Sequence, residues 1–445
     1  VKAIPKSKSN EISQFRPISL TCTASKIIEK SLISELVPYL ENNNLIDTKQ
    51  AGFRPGRSCS TQIIETFSNY LAYQRKSQCF DTVYIDFRKA FDCIDHRLLI
   101  NKLQNYNIAP HIINWLEAHL SCRSQQVLVC GKLSVDTPII SGVPQGSSIG
   151  PLLFLLFLND VREAIPNGVH YGIYADDIKV FSTSPALLQQ ALDNISEWSI
   201  QNNMTISETK CAVQHFGRNN PAHVYTLNGV VLPPCEKVKD LGIDISTDLR
   251  FSEHISRVHK SATSVVNMLF KSFRSNSPDL FKRAYITYIR PILEFGTVVW
   301  NPTTVGLTNE IESVQRTFTR RLFYRCGIPE APYPERLRAL DLNTLEFRRT
   351  INDFVFIHAI LSDTYKLDFS NILVKSPLNR ILRNSYPHRI SLPFPLGSFS
   401  TPASRIITQW NVLTPILVDL PTKSFTRALS RTDCKNILPK SLIRL

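Results

Sequence analysis

The sequence predicts an α+β fold with a mixed sheet-and-helix region followed by a helical one, on three observations. Two segments rich in β-branched and aromatic residues, 80–87 and 171–181, read as strands that run into acids. Helical periodicities fall between and after them without a regular βαβ repeat, which favours an α+β sheet over a doubly wound one. Beyond about residue 250 the strand signals give way to long amphipathic helices.

The elements follow in chain order. The chain opens in what reads as a strand. Asp95 is placed to cap a helix marked by Leu98, Leu99 and Leu103, and Ile112, Ile113, Trp115, Leu116 and Leu120 mark a second. Residues 126–140 alternate through Gly131-Lys132 as a hairpin does. Residues 185–202 carry Leu187, Leu188, Ala191, Leu192, Ile195 and Trp198 at helical spacing, and a strand is expected near 212–216. Four helices are expected at 254–273, 278–300 with a kink at Pro291, 305–324 and 344–361. From about 370 the chain is rich in Pro, Ser and Arg. It contains no internal repeat and no low-complexity tract.

A chain of 445 residues exceeds what one hydrophobic core usually supports, so two or three subdomains are expected. Lys and Arg total 51 against 37 acids, a net +14 with a pI near 9.3, which suits a polyanionic partner such as nucleic acid. A membrane surface fits as well on charge alone. The longest apolar run, 151–158, is far short of the roughly 20 residues of a membrane-spanning helix, and no signal peptide opens the chain. A soluble, intracellular protein is expected. The ten cysteines are scattered without a CxxC pair, which argues for ordinary thiols in a reducing compartment over a zinc module or a disulfide framework. The first residue is Val1 in place of an initiating methionine, so a fragment is one expectation.

Asp176 and Asp177 lie between apolar flanks where a tight strand reversal is expected. Alone, an Asp-Asp pair is most often an ordinary turn. Asp86 alters the balance, because a carboxylate among Val83, Tyr84, Ile85 and Phe87 is costly to bury without a cation. Three carboxylates on neighbouring strands suit a two-metal phosphoryl-transfer site, with hard oxygen ligands for two Mg2+ ions roughly 3.5 to 4 Å apart.

Five blocks then occur in order. They are Phe15-Arg16-Pro17-Ile18-Ser19-Leu20, Gln50-Ala51-Gly52-Phe53-Arg54-Pro55-Gly56-Arg57-Ser58, Tyr84-Ile85-Asp86-Phe87-Arg88-Lys89-Ala90-Phe91-Asp92, Ser141-Gly142-Val143-Pro144-Gln145-Gly146-Ser147 and Tyr174-Ala175-Asp176-Asp177. In sequence and separation they resemble the reverse transcriptase of non-LTR, LINE-type retrotransposons of the jockey-like kind. The resemblance implies a right-hand polymerase: fingers and palm with an antiparallel sheet over 1–245, a helical thumb or connection over 246–365, and a C-terminal region over 366–445 with no assigned chemistry.

It also implies roles. Asp86, Asp176 and Asp177 are the catalytic acids and ligands of two Mg2+ ions, for which Mn2+ can stand in. Arg16, with Lys6 or Lys8, is expected to hold the incoming triphosphate. Phe87, Phe91, Gln145 and Gly146 are expected around the nucleotide, Phe91 as the ring that excludes a ribose 2′-hydroxyl. Arg54, Arg57 and Tyr174 are expected to touch template or primer, and Lys210 to donate a proton to pyrophosphate. Leu241-Gly242-Ile243-Asp244 resembles a primer-grip strand. Lys282, Arg283, Arg290, Arg316, Arg320, Arg321 and Arg325 are spaced for a basic helical face beside a template-primer duplex.

The expected partners are an RNA template, a DNA primer and dNTPs, with no membrane, in a ribonucleoprotein of the nucleus or cytoplasm. The endonuclease that commonly opens such elements has no counterpart before Val1 and is expected to be separate or missing. Neither a cysteine-histidine knuckle nor an RNase H set is present, and the segment with Trp410-Asn411 resembles the tails of elements lacking RNase H. Two other readings compete: a decayed, element-derived nucleic-acid-binding protein, against which the intact acids speak, and an RNA-templated RNA polymerase, against which Phe91 and the tetrad speak.

Overall fold

The computed structural model describes residues 1–5, 15–129, 131–365, 369–375, 390–393, 401–411, 413 and 415–430. Its central feature is a four-stranded antiparallel sheet in the order Ala212–Phe216, Phe80–Ile85, Asp177–Ser182, His170–Tyr174. The expected 171–181 segment is therefore two strands joined by a two-residue turn. A fifth extended segment lies along the outer edge: Gln50 bridges Ile173 in parallel, the Ala51 N–H donates to the Ile173 carbonyl at 2.9 Å, and the Ile173 N–H to the Lys49 carbonyl at 3.0 Å.

Strand residues on both sides of this sheet are buried, as helices cover it. Gly150–Leu158 is apolar all round and joins one core with Val83, Ile85, Val180 and Val213. Pro185–Gln201 buries Leu188, Ala191, Leu192, Ile195 and Trp198, the expected stripe. Asp95 caps His96–Gln104 by accepting the Leu98 N–H, and Pro110–Leu120 follows. A second, more exposed sheet runs Phe15–Ile18, Lys2–Pro5, Leu128–Val129, Lys132–Leu133, its last two strands forming the hairpin expected through Gly131-Lys132.

Residue contacts divide the chain into two units: 1–58 with 78–236, and 59–77 with 237–445. The helix Cys59–Arg75 belongs to the second. Ten residues of that helix are buried, covering most of its circumference, and it packs against the short helix Thr297–Trp300. In the second unit Ser252–Ser272, Val305–Arg325 and Leu345–Leu361 form the expected helices, the last capped by Thr344. The stretch at 278–300 is more broken than one kink. A turn of π-helix, Tyr285–Ile289, precedes Pro291, whose missing N–H suits the start of a new short helix, Arg290–Glu294; Phe295 ends it, and Gly296 at φ 68° leads into Thr297–Trp300. Leu241-Gly242 turns the hairpin Lys237–Asp240 to Ile243–Ser246, where Asp244 accepts from Arg257. Trp410 and Asn411 are structural: the Trp410 ring is buried near Phe354, and the Asn411 amide exchanges two hydrogen bonds with the Ile390 backbone.

Candidate active site

The site grows out of sheet register. Phe80–Ile85 pairs with Asp177–Ser182 so that Ile85 faces Ile178; one step further puts Asp86 opposite Asp177. On its other side Tyr84 faces Ala212, and two steps further put Asp86 opposite Lys210. That contact is made, Lys210 Nζ donating to Asp86 Oδ2 at 2.8 Å. The Ser207 N–H on the Asp86 carbonyl and the Arg88 N–H on the Thr205 carbonyl, each 2.8 Å, tie the Lys210 loop to the acid. The cation demanded by a carboxylate in apolar company is therefore supplied by a lysine.

Asp176 lies in the turn between Tyr174 and Asp177, preceded by Ala175 at φ 55°. Burial pushes its carboxyl above the usual range and the Asp86 charge adds to this, against its own backbone N–H, Arg16 and Lys210, which pull it down. The charges of Asp86, Arg16 and Lys210 therefore all bear on Asp176. Asp177 is exposed at the start of its strand. Among the described residues no three His, Cys, Asp or Glu side chains converge as a metal cage.

The Ser141–Ser147 loop lies across the turn that follows Asp86. The Val143 N–H donates to the Phe91 carbonyl (2.9 Å), Gly142 N–H to Ile94 carbonyl (2.7 Å) and Gln145 Nε2 to Asp92 Oδ1 (2.8 Å). Ser19 holds the loop from the other side, its N–H donating to the Gln145 carbonyl at 2.6 Å. At Gly146, φ 121°, a Cβ would stand 2.4 Å from the Ser19 oxygen, so only glycine fits. Phe91 stacks on Phe154 (centroids 4.2 Å, 14°) and meets Phe53 edge-on at 6.1 Å, which leaves the ring fixed and half-buried. The Phe91-Asp92 turn and the Gln145-Gly146 loop are thus tied together.

Two expectations need correction. Phe87 is 2% exposed and packs against Trp198 in the core; neighbouring residues of an extended chain point to opposite faces, so with Asp86 facing the site Phe87 faces away. Arg54 is buried, its guanidinium paired with both oxygens of Glu41 at 2.7 Å and donating to the Asp47 and Gln50 carbonyls. Its fork is filled by the protein and is not offered to a phosphate. Arg57, half-buried, donates to the Thr48 carbonyl, and Tyr174 is half-buried as well. Lys6 and Lys8 lie outside the described residues. Of the helical cations, Arg283, Arg316 and Arg320 are exposed, whereas Arg321 bonds Asn267 and Arg325 the carbonyls of Phe270 and Phe273.

Residues 4–245, more than half of the chain, match the family model described as "Reverse transcriptase (RNA-dependent DNA polymerase)". The chain belongs to the reverse transcriptase family. It is 27% identical over 347 residues to the RNA-directed DNA polymerase from mobile element jockey of Drosophila melanogaster, covering 74% of this chain and 37% of that one. Over 407 residues it is 27% identical to the probable RNA-directed DNA polymerase from transposon BS of the same species, covering 85% and 43%. The chain spans about two fifths of the length of these curated relatives. Among solved structures, apo telomerase from Candida Tropicalis is similar at a TM-score of 0.41 and 11% identity, covering 76% of this chain and 55% of that one, a likeness too loose to carry an argument.

The reverse transcriptase site also rests on a residue given no role above. Glu29 is fully buried in the helix Thr23–Asn42 and accepts from Ser25 Oγ (2.7 Å), Ser147 Oγ (2.9 Å) and the N–H groups of Ser148 (2.5 Å) and Ile149 (3.3 Å). Burial pushes its carboxyl up, but the four hydrogen bonds outweigh it and hold the group below the usual range. The signal was a lone acid in the stripe Glu29, Ile33, Leu36, Leu40, where every other member is apolar.

Proposed function

We propose that the chain is an RNA-directed DNA polymerase of a non-LTR retrotransposon, extending a DNA 3′-hydroxyl along an RNA template with dNTPs. The observation that carries this reading is the Lys210–Asp86 contact at the tip of the antiparallel sheet, beside the turn that carries Asp176. Two acids at one sheet tip, with Asp176 held above its usual range mainly by burial, fit a hard divalent cation, which is commonly held by one or two carboxylates with the rest of its shell left to water and phosphate. Asp86 and Asp176, with Asp177 adjacent, would hold two Mg2+ ions, or Mn2+ in their place. Bound there, the ions lower the pKa of the attacking hydroxyl and offset charge on the leaving pyrophosphate.

The chain's own groups do the rest. Arg16 binds the triphosphate, and Lys210, released from Asp86, hands a proton to pyrophosphate as the 3′-oxygen forms its bond to the α-phosphorus. Phe91, braced by Phe154, lies under the sugar; Gln145 and Gly146 line the nucleotide, while Arg57 and Tyr174 contact template or primer. The exposed Arg283, Arg316 and Arg320 give the helical unit cations for a phosphate backbone. Among the described residues no helix is long and apolar enough to cross a membrane, and the reading places the protein in a ribonucleoprotein of the nucleus or cytoplasm. The test is primer extension on poly(rA)/oligo(dT) with Mg2+: the parent incorporates dTTP and Asp176→Ala does not. A silent parent, or a mutant equal to it, refutes the proposal.

A further inference from the structure

The Tyr174–Asp177 turn carries Asp176 on a backbone that does not hold itself. Ala175 has φ 55°, a left-handed conformation that costs an L-residue energy unless its surroundings enforce it. It is also buried, and the amide of a turn residue has no partner within the hairpin ladder. That N–H must be satisfied from outside.

Gln50 does this. Its side chain is 2% exposed, and its Oε1 accepts the Ala175 N–H at 3.1 Å and the Gly52 N–H at 2.8 Å. The backbone around it is pinned to the same hairpin by the two Ile173 bonds of residues 49–51. Gly52 permits the approach: a Cβ there would lie 2.4 Å from the Ala175 nitrogen. The Arg54 pair with Glu41 and the Arg54 bonds to the Asp47 and Gln50 carbonyls lock the loop from behind. Strain at Ala175, burial of its amide and a rigid acceptor aimed at it are three separate observations on one joint.

We propose that Gln50 is a positioning residue: by accepting the Ala175 N–H it holds the strained turn, and through it sets where the Asp176 carboxylate stands. The role rests on the polymerase reading for its effect on rate, but not for its effect on the turn. Gln50 touches no substrate; it acts through Ala175. The hairpin tip is therefore built by the Gln50–Gly52 loop as much as by its own two strands.

The experiment compares parent, Gln50→Met and Gln50→Asn in the full chain, each also in an Ala175→Gly background. Hydrogen exchange over 171–181 is read with exchange over 80–85 as the internal control, and steady-state kinetics are read on poly(rA)/oligo(dT). Removing the acceptor should speed exchange at the Ala175 amide about tenfold or more, with 80–85 unchanged. It should lower kcat roughly ten- to hundredfold, since small misplacements of a reacting group carry such costs, with KM for dTTP changed less than about threefold. In the Ala175→Gly background, where the turn is no longer strained, the Gln50 substitution should cost measurably less. Gln50→Asn stays polar but is one methylene too short, and it carries the test if Gln50→Met does not fold. Unchanged exchange at Ala175, or equal losses in both backgrounds, overturns the proposal. A parent that exchanges as described but incorporates no nucleotide overturns the polymerase reading instead.

Discussion

Lys210 Nζ lies 2.8 Å from Asp86 Oδ2, so the carboxylate assigned to a metal ion is already paired with a cation of the chain itself. Lys210→Met removes that cation while keeping side-chain length. Mn2+ binding without nucleotide, followed by electron paramagnetic resonance, should tighten by a few-fold as Asp86 loses its competitor. Incorporation should fall about 10²-fold, the smaller end of what a lost proton donor costs. Unchanged metal affinity together with a full rate would remove both roles from Lys210.

Phe91 is held between Phe154 and Phe53, and its rigidity is what a steric gate needs. Phe91→Ala should raise kcat/KM for ribonucleotides relative to deoxynucleotides. Loss of the stack on Phe154 should cost about 2 kcal/mol of stability, less than a fully buried phenylalanine because the ring is half-exposed. Sugar selectivity equal to the parent's would show that the ring is only a packing element.

Arg54 and Arg57 sit three residues apart in one block and should behave oppositely. Arg54→Ala removes the guanidinium bound to both Glu41 oxygens and to the Asp47 and Gln50 carbonyls and should lower stability by about 3 kcal/mol, leaving the salt dependence of duplex binding as it was. Arg57→Ala should leave the melting temperature near the parent's and flatten the salt slope by about one ion. The reverse pattern in a paired melting and salt titration would return Arg54 to the nucleic acid.

Glu29→Gln keeps one acceptor but loses the charge that gathers Ser147, Ser148 and Ile149. A cost of about 1–3 kcal/mol at neutral pH follows from weakened buried hydrogen bonds. Because the carboxyl is held below the usual range in the fold, its contribution is present above the ordinary glutamate pKa of about 4.3 and is lost as pH falls through the lower folded value. The stability gap between parent and variant should therefore narrow in acid. A gap that stays constant to pH 3 would show that the charge of Glu29 plays no part.

What the sequence made legible was mostly local. The Asp95 cap, the Pro185–Gln201 stripe and the turn at Asp176-Asp177 each depend on residues within a few positions, and the structure has all three. Asp86 and Lys210 were named, but their contact was not, since it depends on the register of three strands separated by helices. Alternation along an extended chain already implied that Asp86 and Phe87 could not face one site. Arg54 was misassigned because an arginine's fork serves a carboxylate and a phosphate equally well, and Glu41 as its partner was not marked in the pattern. Glu29 stands out only in the fold, because three of its four hydrogen-bond donors, on Ser147, Ser148 and Ile149, lie more than a hundred positions away.

The helix Cys59–Arg75 interrupts the first unit in sequence while packing within the second, where Phe67 meets Phe251 at 5.2 Å. During synthesis it leaves the ribosome long before its cover at Phe251 and Thr297–Trp300 exists. A fragment ending near 236 would contain every acid of the site and still display this helix's apolar face, a sticky surface prone to self-association. Minimal active fragments should be cut beyond Trp300, and any chaperone demand should concentrate on nascent chains between these two lengths.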